Sequence, residues 1–585
     1  MHPAKWLLSI LLFLFLACKT SKHIPMSNSR TITTPFESKK NYSATYKEIV
    51  DFYTKLNDAS DIIQVNEFGK TDIGKPLHEV IISTSKIFDP EAIKKSGKQI
   101  LFINNGIHPG EPCGIDASML LARDILNGKI KNSLLSETVV VIIPVYNVGG
   151  CLNRTSTSRA NQNGPEAYGF RGNAQNLDLN RDFIKCDSKN AETFNLLFNK
   201  WNPTVFIDNH TSNGADYQYT MTLIATQKDK LTKALGDYLE KEMLPDLYKK
   251  MKKKKWEMTP YVYARETPDE GIAGFLDLPR YSSGYGALHN VISFMPETHM
   301  LKPYEDRVWS TYAFMESMIQ HISDHGTAIV KAKNKALSQN QKAEQLDINW
   351  TMDRSKSEQI SFKGYEAKYK ESKVTGHSRL YYDTGKKYQK DIPFYNHYKP
   401  ATTIKTPQQY VIPQAYANVI SRLKWNNVEM EIIKKDTVFS GDTYYITDYT
   451  SSARPYEGHF LHREVEVENF KLKQQFYKGD VIVKTDQSRR RYIVETLEPQ
   501  GPDSFFAWNF FDGILMQKEY YSAYVFEDLA VEILKKNKKL KKAFQEKKKE
   551  DSTFAEDSRA QLDYIYKNSP YYEKTFQRYP VLRVF

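Results

Sequence analysis

His108 and Glu111 stand three residues apart in His108-Pro109-Gly110-Glu111. An imidazole nitrogen and a carboxylate oxygen both suit zinc. Two other segments carry groups of the same kind, Asp208-Asn209-His210-Thr211-Ser212 and Met295-Pro296-Glu297-Thr298-His299. Two His and one Glu make a catalytic zinc set with a fourth position open to water. A remaining Glu beside that water can act as general base. Between these segments lies a dense polar loop, Arg171-Gly172-Asn173-Ala174-Gln175-Asn176-Leu177-Asp178-Leu179-Asn180-Arg181-Asp182-Phe183. Arginine presents a planar fork suited to carboxylates and oxyanions, so two Arg and an Asn near a metal form an anion pocket. An isolated HxxE matches often by chance, and a lone His after a strand is usually a cap or a packing residue. Several such groups delivered to one place are harder to dismiss.

The elements that deliver them are legible. An apolar run at residues 100–103 reads as a buried strand ahead of His108, and a helical pattern follows through residues 116–127. Residues 138–145 read as a strand buried on both faces, residues 204–207 lead into Asp208, and residues 291–294 lead into Met295. Helical patterns lie between, at 191–201 and 230–250. This alternation predicts an α/β fold, a mostly parallel mixed sheet with helices on both faces, over residues 41–330. In such a sheet the carboxyl ends of the strands share one rim, where ligands bind. Residues 331–350 are polar and rich in Lys, Gln and Ala, and are expected to connect. Residues 351–585 are expected to form an α+β or β-rich accessory domain, with strands near 360–383 and 465–484, a small βαβ unit over 410–433 and a docked aromatic end. They carry no recognisable chemical motif.

The chain has 585 residues and 40% hydrophobic content, enough for two to four domains with substantial cores. Its formal charge is +12, concentrated in lysine runs near 249–255 and 535–549. No nucleic-acid motif accompanies either run, so both read as solvated helix faces and no nucleic-acid partner is expected. The first 18 residues read as an address: Lys5, an apolar segment, then Phe15-Leu16-Ala17-Cys18, which resembles a bacterial lipoprotein cleavage site. Cys18 is then the lipidated first residue, residues 19–40 a flexible tether, and the protein a membrane-anchored lipoprotein outside the cytoplasm. Three cysteines remain, Cys113, Cys151 and Cys186, too few for a disulfide scaffold. Cys113, two residues after Glu111, reads as a small packing residue.

In these motifs, over roughly residues 46–319, the chain resembles the M14 zinc metallocarboxypeptidases. The family's HxxE matches His108 and Glu111, and its third ligand, a His after a central strand, matches His210. Its DxNR element matches Asp178, Asn180 and Arg181, and its catalytic Glu matches Glu297. The resemblance implies one zinc ion held by His108, Glu111 and His210, with Asp178 fixing the ring of His108. It implies Glu297 as base, Arg171 on the oxyanion, and Asn180 with Arg181 on the free C-terminal carboxylate of a peptide substrate. The nearest candidates for the tyrosine that closes over substrate in the family are Tyr281 and Tyr285, both closer to Glu297 than the family spacing, and the assignment goes to Tyr285. Two other readings are compatible with the motifs: a hydrolase of cell-wall peptides or other amides on the same scaffold, and an inactive peptide- or glycan-binding surface lipoprotein.

Overall fold

The computed structural model describes residues 32–585. Cys18 and the N-terminal address lie outside the described residues, but the end of the expected tether is packed and not flexible: Pro35–Lys39 is a capped helix with Phe36 buried and Glu37 paired with Arg123. Ten strands precede residue 300 among those described: β1 (Ile63–Lys70), β2 (Pro76–Ile82), β3 (Gln99–Asn104), β4 (Thr138–Ile143), β5 (Val205–Asp208), β6 (His210–Ser212), β7 (Met221–Ala225), β8 (Met258–Pro260), β9 (Ile272–Ala273) and β10 (Ile292–His299). One sheet runs β1-β2-β4-β3-β5-β10-β7-β8, with β6 also paired to β10. Its centre, β4-β3-β5-β10, is parallel, and antiparallel joints at β2–β4 and β10–β7 make the whole mixed.

The alternation of side chains across a strand explains why this centre is buried. Leu101, Ile103, Val140, Ile142, Val205 and Ile207 enter the core on one face. Ile100, Phe102, Val139, Val141, Ile143 and Phe206 enter the core on the other. On the first face the helix Cys113–Leu126 is buried at every position, between the sheet and the long helix Tyr304–Lys342. Gly114 makes that close fit possible, because a Cβ there would lie 2.3 Å from the Cβ of Asn209.

Residues 331–350 do not form the expected connector. Tyr304–Lys342 is one helix of 39 residues, and Ile329, Lys333 and Ala336 on it are buried. The Lys- and Gln-rich composition belongs to the solvent side of an amphipathic helix, not to a linker. Strand Gln345–Met352 follows almost at once and pairs with Tyr398–Lys405.

Beyond it a long hairpin, Glu358–Glu371 with Ser378–Tyr395, joins β9 through Phe394 opposite Ile272. A six-stranded antiparallel sheet runs Glu431–Ile432, Val481–Lys484, Gln409–Ile412, Leu582–Val584, Thr437–Ser451, His462–Phe476. The strands at 409–412 and 431–432 flank Val481–Lys484 with the helix Ala417–Trp425 between them in sequence, a split βαβ unit. Among the described residues no helix is long and apolar enough to cross a membrane.

The two regions share a core. Phe183, Phe194, Phe198 and Tyr285 from the first pack in one cluster with Tyr492, Phe506, Trp508 and Tyr579 from the second. Trp508 is fully buried and donates to Asp503 Oδ1 at 3.1 Å. Replacing it by Ala should cost about 3–5 kcal/mol. Calorimetry should then show one unfolding transition moved down as a whole; a C-terminal transition shifting alone would mean two independent units.

Candidate metal centre and catalytic cleft

Three strand ends build the site. The turn after β3 carries His108 and Glu111, with the Glu111 N–H donating to the His108 carbonyl at 2.8 Å. The β5–β6 break carries Asp208 and His210, and β10 carries Glu297 directly opposite His210 in the parallel register. His108, Glu111 and His210 are all buried.

Each imidazole is held from behind. His108 Nε2 lies 2.8 Å from Asp178 Oδ1, and His210 Nε2 lies 2.9 Å from Asp208 Oδ2. Hydrogen on each Nε2 leaves both Nδ1 atoms as lone-pair donors. These Nδ1 atoms face the same carboxylate, at 3.4 Å from Glu111 Oε1 for His108 and 3.2 Å from Glu111 Oε2 for His210. Nδ1 of His108 is buried without a hydrogen-bond partner. Ligand atoms of the three residues all lie within 4.8 Å of one another.

The electrostatics ask for a cation. Burial alone would lower the pKa of His210, yet the carboxylates of Asp208 and Glu111 hold it well above the usual range. Burial works to raise Glu111, but Arg159 and His108 hold it well below. Glu297 goes the other way: burial, opposed by His210 and reinforced by Glu111, pushes it up to about 7. Two buried imidazoles among four carboxylates, with converging nitrogen lone pairs and one orphan, fit a zinc ion. Cys113 is not among the ligands; its buried Sγ packs behind them, 3.4 Å from Thr211 Oγ1 and 3.3 Å from Thr298 Oγ1.

The polar loop forms the anion side of a cleft of about 340 Å³. Arg171 spans two carboxylates, with Nε donating to Asp178 Oδ2 at 3.0 Å and Nη1 to Glu111 Oε1 at 3.3 Å. Its side chain is 45% exposed, so it can also meet substrate. Asn180 accepts from the Ser282 N–H at 3.0 Å through Oδ1, which leaves its NH₂ group as a donor. Arg181 donates through Nη1 to the Asn180 carbonyl at 2.8 Å and through Nε to the Tyr456 hydroxyl at 3.0 Å, leaving Nη2 for a ligand. Its guanidinium lies 4.5 Å from the ring centre of Tyr281.

Tyr285 does not reach the cleft. It is fully buried, its hydroxyl donates to Asn426 Oδ1 at 2.6 Å, and its ring packs on Phe183, Phe198 and His289. The helix Ser282–Leu288 turns that position into the core, whereas Tyr281 precedes the helix and lines the cleft with Tyr261 and Phe275.

Four contributors escaped the sequence reading. Arg159 donates to Glu111 Oε1 at 2.6 Å and to the Thr211 carbonyl at 3.0 Å, from a Ser/Thr-rich segment with no periodic signal. Tyr456 and Glu457 arrive from the accessory region, far along the chain. Asp208 had a signal, since residues two apart on an extended chain share a face and His210 follows it.

Residues 49–291 match the family model described as zinc carboxypeptidase, a segment that takes in every metal-facing residue and stops short of Glu297. "Carboxypeptidase 2" of Trichophyton rubrum is 22% identical over 476 residues, covering 78% of this chain and 81% of its own. The protein of the same name from Trichophyton equinum is 22% identical over 457 residues, 74% of this chain and 78% of its own. Among solved structures, a metallo-carboxypeptidase from Burkholderia cenocepacia is 16% identical and covers 48% of this chain and 70% of its own, with a TM-score of 0.38. A metallo-carboxypeptidase from Pseudomonas aeruginosa, in complex with (2-guanidinoethylmercapto)succinic acid, is 11% identical with a TM-score of 0.37, covering 49% of this chain and 70% of its own. With the ligand geometry above, the family match makes residues 49–291 an M14 zinc carboxypeptidase domain and the chain a zinc-dependent metallocarboxypeptidase.

Proposed function

We propose that this enzyme removes the last residue of peptides bearing a free C-terminal carboxylate, outside the cytoplasm, while held at a membrane by a lipid on Cys18. The observation that carries the exopeptidase reading is the unpartnered Nη2 of Arg181 beside the NH₂ of Asn180 at one end of the cleft. Nη1 of Arg181 has Asp178 Oδ2 only at 3.8 Å, a distance that leaves the fork able to take a closer carboxylate, and a chain terminus supplies one.

Zinc held by His108, Glu111 and His210 would act there as a Lewis acid toward water and the scissile carbonyl. Glu297 takes a proton from the attacking water and returns it to the leaving amine nitrogen. Arg171, facing the same space from the Asp178 side, donates to the oxygen on which charge develops. Asn180 and Arg181 fix the terminal carboxylate, which sets the reacting bond one residue from the end. Ile224, Met295, Tyr261, Phe275 and Tyr281 present the apolar and aromatic surface of the cleft, beside the polar Arg159, Thr211, Ser212 and Asn213. An adjoining cavity of about 300 Å³ shares Ile224, Tyr261 and Phe275 and adds Leu223, Leu244 and Phe394. The apolar part of this wall suits an apolar terminal side chain, while Glu240 and Glu358 also border the adjoining cavity.

His210→Ala should lose the metal, because two ligands hold zinc poorly. Glu297→Gln should keep it and lose about 10²–10⁴ in kcat. Metal content and kcat measured on both variants check this contrast, and a Glu297→Gln enzyme with normal turnover would put the base elsewhere.

A peptide ending in Leu or Phe should be cut faster as the acid than as the amide. Loss of the charge-assisted pair amounts to about 10- to 150-fold in kcat/KM. Arg181→Ala should remove most of that preference by slowing the acid alone. Equal wild-type rates on acid and amide would instead favour an endo-acting or amidase enzyme.

Cys18→Ser should shift the protein from the membrane fraction to the soluble fraction or leave it unprocessed. Undiminished acyl labelling of the variant would remove the lipoprotein reading.

A further inference from the structure

The strands Thr437–Ser451 and His462–Phe476 are joined by residues 452–461, whose tip enters the catalytic region. The tip is a tight turn. Tyr456 N–H donates to the His459 carbonyl at 2.7 Å, and His459 N–H donates back at 3.1 Å. Glu457 and Gly458 between them have φ of +51° and +86°, the left-handed pair that a two-residue hairpin turn requires.

This turn is fastened to the catalytic domain at every position that can reach it. The Tyr456 hydroxyl accepts from Arg181 Nε at 3.0 Å. Glu457 Oε2 accepts from the Asp178 backbone N–H at 2.7 Å. His459 Nε2 meets Asp187 Oδ2 at 2.7 Å. Behind them the Tyr456 ring stacks on Trp508 at 6.1 Å, and the Arg280 guanidinium lies 5.6 Å from Tyr456 and 5.2 Å from Trp508. Arg280 is itself held by Asp503, whose Oδ2 accepts its backbone N–H at 2.9 Å and whose Oδ1 lies 2.8 Å from its Nε. One residue on, Tyr281 presents its ring to Arg181.

We propose that Tyr456 is a positioning residue for the carboxylate clamp, so that the accessory region helps to set the enzyme's preference for a free C-terminus. Arginine has a long side chain with many rotamers, and its directional donors bind a carboxylate well only when the fork is already aimed. Here Nε is fixed by Tyr456, Nη1 by the Asn180 carbonyl and the plane by Tyr281, which leaves Nη2 as the donor still open to a carboxylate in the cleft that Arg181 lines. The accessory region thus acts on specificity through Arg181, not through the bond-breaking groups. This inference rests on the exopeptidase reading above.

Tyr456→Phe tests it with little disturbance, since the ring keeps its stacking on Trp508 and only the hydroxyl is lost. KM for a free-acid peptide should rise about two- to tenfold with kcat nearly unchanged. The amidated peptide should be unaffected, and Tm should hold. In an Arg181→Ala background the same substitution should change nothing further, because the two residues act through one interaction. The proposal is overturned if Tyr456→Phe slows acid and amide alike, leaves both unchanged, or has the same effect with and without Arg181. A wild-type enzyme indifferent to the terminal carboxylate would remove the clamp itself, a result visible before any Tyr456 variant is made.

Discussion

Both metal-facing imidazoles are braced by a carboxylate on the far side of the ring, and the rest of the site depends on that bracing. A histidine free to spin offers a metal either nitrogen or neither. Asp178 and Asp208 settle the question by engaging Nε2, so that Nδ1 of each ring meets Glu111. The braces are braced in turn. Asn104 on β3 donates to Asp208 Oδ1 at 2.9 Å, tying one histidine to the strand that delivers the other. Asp178 is gripped by Arg171 through its side chain and by Glu457 through its backbone. Metal ligands, anion pocket and accessory region therefore form one network of charge.

That network explains the placement of the accessory region. The sheet face bearing Phe102 and Phe206 packs on Phe194 and Phe198 of the helix Lys189–Trp201, and Tyr492, Phe506, Trp508 and Tyr579 of the accessory region extend the same core. Once that surface is buried, the hairpin leading to Tyr456 has a fixed direction relative to the cleft. A long arm on a movable platform could not aim a guanidinium; on a shared close-packed core it can.

Much of this was legible in the sequence, and the boundary of legibility has a physical cause. His108, Glu111, His210 and Glu297 stand out because each sits at or near the end of an apolar strand, a one-dimensional signal for a shared rim. The polar loop stands out because its residues are crowded together. Tyr285 was misplaced because spacing from Glu297 does not tell which side of a short helix faces the cleft, and its ring fills an aromatic core instead. The last turns of the long helix resemble a connector in sequence because their buried positions are spread thinly among lysines and glutamines. Arg159 and Tyr456 act on partners 48 and 275 residues away in the chain, and no local pattern announces contacts of that range.

The small strand Leu582–Val584 lies inside the six-stranded sheet, between Gln409–Ile412 and Thr437–Ser451. It supports the root of the hairpin whose tip holds Arg181. In sequence this strand lies far from both strands it joins. Its pairings are non-local, so the hairpin gains this seat only when distant parts of the chain have come together. The aim of Arg181 therefore depends on a pairing between distant parts of the chain, Asp442 opposite Arg583.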